Sequence, residues 1–193
     1  MCPQSEDSPV LAAELPEYSQ EERQSLVRLA HASIEAAFQD VQLDLTPPSP
    51  HLAEPRGAFT TLSLNDHLRG CIGYVSPNQP LYRTVAETAR AAAFEDPRFE
   101  PVTQEEAPRL SVEISVLSPL RPITPEEVVV GKHGLVVSHG TRRGLLLPQV
   151  PLEWDWDRDT FLSQTCLKAG LPPDAWLRGA DLHAFTAEVF GER

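Results

Sequence analysis

Apolar residues recur at helical spacing between positions 19 and 38, where Leu26, Leu29, Ala30, Ile34, Ala37 and Phe38 define one stripe. Ser19 and Glu22 stand at capping-box spacing, so the helix is predicted to begin there. Pro47, Pro48, Pro50 and Pro55 then mark an extended surface connection. A second helical stripe, Leu81, Val85, Ala89, Ala92 and Ala93, is stopped by Asp96-Pro97, and its alanines predict close packing on a sheet. Residues 110–117 alternate cleanly, with Leu110, Val112, Ile114 and Val116 on one side and Ser111, Glu113 and Ser115 on the other, the period of a half-buried strand.

Residues 57–64 and 68–74 read as two strands joined by Asn65-Asp66-His67. A three-residue loop sets Leu64 opposite Leu68 and Thr61 opposite Cys71. Phe59, Thr61, Ser63, Arg69, Cys71 and Gly73 then share one face, while Leu62, Leu64, Leu68 and Ile72 share the greasy one. Downstream, Thr124, Pro125 and Glu127 predict a helix start. Strands are expected at 135–138 and 145–147, joined by an arginine-rich turn, and a helix at 157–169 ending at Gly170. A final strand is expected over 182–190. Mixed hairpins and helices define an α+β class, and no internal repeat is visible.

Composition narrows the function classes. The chain has 193 residues, enough for one domain with a real core, and no apolar run approaches the ~20 residues of a membrane span. The first 17 residues are acidic and proline-dotted and read as a flexible tail, leaving 18–193 as a single domain. No basic, apolar leader is visible, so a cytoplasmic protein is expected. The net charge of −12 argues against nucleic acid as a partner. A local basic pocket is compatible with it, because 14 of the 16 cations are Arg, whose planar fork suits carboxylate or phosphate.

Chemistry concentrates in LRGCIGY at 68–74. Arg69 and Cys71 are two apart and therefore on one face of a strand, where a guanidinium favours the reactive thiolate. Gly70 and Gly73 leave room for a ligand or a neighbouring backbone. His133 is the first base to consider, since its charge changes near neutral pH, and Glu113 is the second. Arg69 and nearby backbone N–H groups are placed to stabilise an oxyanion. Each has a plainer reading: a packed thiol for Cys71, a turn histidine for His133, a solvated acid for Glu113. Arg98 reads as an anchor of the helix end through a carboxylate. Cys166 falls on an apolar helix face as an inert thiol. The run Glu153, Asp155, Asp157 and Asp159 lacks the pattern of a calcium loop and reads as solvated acids beside buried tryptophans. His67, Cys71 and His133 lack paired zinc spacing, so no metal is expected.

Taken with DPRF at 96–99, SVEISVLSP at 111–119, KHGL at 132–135 and GLLLPQV at 144–150, the LRGCIG segment resembles the AMMECR domain family over about 19–190. The resemblance implies an antiparallel sheet flanked by helices, with a smaller lobe beside it. It implies a soluble intracellular protein of unestablished biochemical role, associated in prokaryotes with Memo-type and radical S-adenosylmethionine proteins. The chain has no CxxxCxxC motif, so radical chemistry would belong to such a partner and no cofactor is expected here. By position, Arg69, Gly70, Cys71, Ile72 and Gly73 carry over as the site, to which the hairpin register adds Thr61. Two functions follow: a small-ligand or enzymatic site, with Arg69 on an anionic group, or a non-catalytic adaptor module. The chain is expected as a monomer or homodimer.

Overall fold

The structure is a computed structural model that describes residues 16–192. The expected tail lies outside them except for Pro16 and Glu17, as does Cys2. Helix α1 (Gln20–Gln39) begins with the reciprocal bonds expected of it: the Glu22 N–H donates to Ser19 Oγ, and the Ser19 N–H donates to the Glu22 carboxylate. Strands β1 (Ala58–Leu64) and β2 (His67–Tyr74) form the hairpin, helix α2 (Leu81–Phe94) follows, and β3 (Leu110–Leu117) comes next. With β8 (Ala187–Gly191) they make a four-stranded antiparallel sheet in the order β2-β1-β3-β8. Both helices lie on its inner face. Leu26, Ile34, Leu62, Val85, Ala89, Val112 and Ile114 are all buried there.

The second sheet runs β4 (Arg121–Pro122), β7 (Asp181–Phe185), β5 (Gly134–His139) and β6 (Arg142–Leu146), again antiparallel. After a short helix α3 (Val150–Glu153), helix α4 (Arg158–Lys168) packs Phe161 and Leu162 against Leu135 and Ala184. Asp157 caps α4 by accepting the Thr160 N–H at 2.8 Å, and Gly170, with φ +70°, follows its end. Cys166 is fully buried on this helix, and burial pushes its thiol up. Leu117, Val136 and Phe185 join the two sheets, with Phe59, Leu145 and Leu147 packed around them.

Four local expectations are corrected. The stretch 182–190 is two strands, not one: the chain leaves the second sheet after Phe185 and enters the first at Ala187. The Ser118 N–H donates to the Thr186 carbonyl and the Thr186 N–H donates back to Ser118 Oγ, each at 2.9 Å, and these two bonds hold that crossing. A continuous run of β-formers cannot reveal that its partner changes midway. The arginine-rich turn is only Gly140-Thr141, because Arg142 and Arg143 already pair in β6. The Thr124 start yields a single 3-10 turn, Pro125–Glu127. Trp154 is 67% exposed, while Trp156 is partly buried.

Candidate functional site

The LRGCIG hairpin reaches the expected Thr61–Cys71 pairing by a different route. Asn65 and Asp66 adopt φ of 51° and 63°, forming a two-residue turn that sets Leu64 opposite His67. This corrects the three-residue loop and the Leu64–Leu68 pair. The register then slips by one residue: Leu62 faces Gly70 and Ser63 faces Leu68, leaving Arg69 as an unpaired bulge. Past the bulge Thr61 does face Cys71. Leu68 therefore moves from the greasy face to the outer one, where it is 45% exposed.

Most of the motif builds the fold. A Cβ on Gly70 would lie 2.0 Å from the carbonyl oxygen of Ala92, so the glycine admits the backbone of α2. On Gly73 it would strike the Phe59 ring at 2.2 Å, so that ring covers Gly73. Ile72 packs against the core cluster. Arg69 Nε and Nη2 donate to the two carboxylate oxygens of Glu106 at 3.1 and 3.0 Å. Nη1 and Nη2 also reach the carbonyls of Glu100 and Pro101 at 2.7 and 3.2 Å. The Arg69 guanidinium, with the Thr103 N–H, holds the Glu106 carboxyl down to about 2. Arg69 thus clamps the 100–106 loop to β2.

The Cys71 side chain, partly exposed, shares the outer face with Leu68. Thr61 Oγ1 donates to its Sγ at 3.3 Å. Glu113 pairs with the other side of Thr61, so Cys71, Thr61 and Glu113 form one row across β2, β1 and β3. Two strand spacings, ~10 Å, separate the Cys71 and Glu113 backbones, with Thr61 on the strand between them. Ser63, Ser111 and Ser115 surround the row. His133 is placed elsewhere. It is buried in the loop just before β5, where its Nδ1 accepts the Val129 N–H at 3.1 Å and Arg121 Nη2 lies 3.3 Å from Nε2.

Two residues that matter here escaped the motif. Cys71 is on an edge strand, so its N–H and C=O point away from β1 and need partners. Asp96 Oδ2 accepts the N–H at 2.9 Å, and Arg98 Nη2 donates to the C=O at 3.3 Å. Arg98 also grips Asp96 through Nε and Nη2 at 2.9 and 2.7 Å. These bonds from Arg98 and Cys71 depress the Asp96 carboxyl far below the carboxylate range. DPRF thus does the work of a missing strand. The need to satisfy an edge strand was the sequence signal that could have found it.

Among the described residues no group of three or more His, Cys, Asp or Glu side chains could hold a metal ion. No helix is long and apolar enough to cross a membrane. Five surface concavities, of about 140 to 540 Å3, are lined by neither Cys71 nor Glu113. In the Cys71 row Glu113 is exposed, and Thr61 and Cys71 are partly buried. Together these features define an α+β protein with two antiparallel sheets and one cysteine-bearing sheet face.

The AMMECR1 family model matches residues 27–190, and the chain belongs to that family. It is 47% identical over 182 residues to a protein of Thermococcus gammatolerans, covering 86% of this chain and 88% of that one. Protein MK0488 of Methanopyrus kandleri is 44% identical over 184 residues, covering 89% of each. A solved structure, that of the uncharacterised protein PH0010 from Pyrococcus horikoshii, superposes with a TM-score of 0.78 at 42% identity. That match covers 91% of this chain and 93% of the other.

Proposed function

We propose that the outer face around Cys71 is a small-molecule site at which the thiol meets its ligand directly. The observation that carries this reading is the division of labour within LRGCIG: Arg69, Gly70, Ile72 and Gly73 are used by the fold, whereas the Cys71 side chain is not. In the enzymatic form, Cys71 Sγ attacks an electrophilic centre and its proton passes through a bridging water to Glu113. The leaving group departs with its electron pair, and Thr61 steadies the sulfur throughout. His133 belongs to a separate network, and Arg69 supports the site through the 100–106 loop.

A second reading is an adaptor module, favoured by exposed Leu68 and Val189 on the same outer face. A protein partner, such as the Memo-type or radical S-adenosylmethionine proteins, would then cover the Cys71 row. The readings separate in a panel of small electrophiles mapped by peptide mass spectrometry. Adducts are expected on Cys71 and not on buried Cys166, and Thr61→Val should slow Cys71 labelling several-fold. Cys71→Ser should leave the melting temperature within about 2 °C, since the change is nearly isosteric and half-exposed. Equal labelling of Cys71 and Cys166, or a Thr61→Val variant that labels at the wild-type rate, would remove the ligand reading.

A further inference from the structure

The cation beside Cys71 is Arg98, not Arg69. Arg69 is largely enclosed, and its bonds to Glu106, Glu100 and Pro101 use four N–H groups. The Arg98 side chain is 54% exposed and its partner Asp96 only 2%. This pair therefore has its negative end inside the protein and its positive end at the surface. Its fork is half used: Nε and Nη2 face Asp96 and the Cys71 carbonyl, and among the described residues no group bonds Nη1. The Phe99 ring, 5.4 Å from Cζ, further fixes the plane of the guanidinium. Bonding to Asp96 above all raises the Arg98 pKa above the ordinary guanidinium value, against a smaller cost of burial.

We propose that Arg98 makes the Cys71 site selective for anionic ligands, its free Nη1 edge receiving a carboxylate or an equivalent oxyanion while the ligand's reactive centre meets Sγ. This deepens the proposed function and rests on it. Asp96 is a positioning residue in the arrangement, holding both the Cys71 backbone and the Arg98 fork. Charge attraction of this kind, at a half-exposed site, is worth a several-fold preference and is screened by salt.

Two alkylating probes of similar size test it: iodoacetate, which is anionic, and iodoacetamide, which is neutral. Each is applied to the full chain and the Cys71 adduct is quantified. The iodoacetate-to-iodoacetamide rate ratio is expected to exceed that of free cysteine, and to fall three- to tenfold in Arg98→Gln. Arg98→Lys, which keeps the charge, should retain most of it. Raising the salt on the unmodified protein should slow iodoacetate while leaving iodoacetamide unchanged, a readout independent of how any variant folds. A ratio equal to that of free cysteine and insensitive to salt would overturn the anion inference alone. Inertness toward both probes would overturn the Cys71 reading and this inference with it.

Discussion

Replacing Gly70 with alanine is expected to destabilise the protein by about 3 kcal/mol or more, lowering the melting temperature by roughly 6–12 °C. The added methyl would sit 2.0 Å from a backbone carbonyl of α2, and a helix backbone cannot turn aside as a side-chain tip can. The helix must lift off the sheet, loosening Ala89, Ala92 and Leu62, which are buried beneath it. Gly140→Ala supplies the comparison. Gly140 has φ +61° but open space around it, so its cost should be limited to about 1 kcal/mol of backbone strain. Similar melting shifts for both variants would contradict the close approach of α2.

Asp96→Asn is expected to cost about 2–3 kcal/mol at neutral pH. The carboxylate accepts the N–H of Cys71, the N–H of Arg98 and two bonds from the guanidinium. An amide presents its own donors to some of these, leaving buried N–H groups unpaired and Arg98 without its counter-charge. The effect depends on pH. Because folding depresses the Asp96 pKa, its contribution is full above the unfolded value near 3.8 and is lost as pH falls toward the folded one. The gap between wild type and variant, measured by urea unfolding, should therefore narrow by about 1 kcal/mol between pH 7 and pH 3. A gap that stays constant with pH would show that the carboxylate's charge is not what holds the turn.

The local features of this fold were legible in the sequence. The Ser19–Glu22 box, the stripe ending at Phe38, the alternation of β3 and the cap at Asp157 each follow from spacing within one element. What spacing could not supply was the partner at a distance. The hairpin register was right at Thr61 and Cys71 because a bulge at Arg69 offset an unexpected two-residue turn; neither feature leaves a mark in the apolar pattern. Arg69 meets Glu106, 37 residues on, and Cys71 meets Asp96, 25 residues on. For that reason sequence adjacency points to Arg69 as the thiol's companion, whereas the structure puts Arg98 on the Cys71 carbonyl with Nη1 unbonded among the described residues. Glu113 enters the row through the pairing of β3 with β1, which no local spacing encodes.

Within LRGCIG, Arg69, Gly70, Ile72 and Gly73 serve the fold, and in the proposed function the Cys71 thiol is kept for a ligand. The most direct measurement is the iodoacetamide labelling rate of Cys71 at pH 7, resolved by peptide, in the native protein and in the same chain unfolded in urea. With Thr61 donating to Sγ and the Arg98 guanidinium held on the Cys71 carbonyl, the native rate should exceed the unfolded rate despite partial burial. A native rate at or below the unfolded one would make Cys71 one more packing residue.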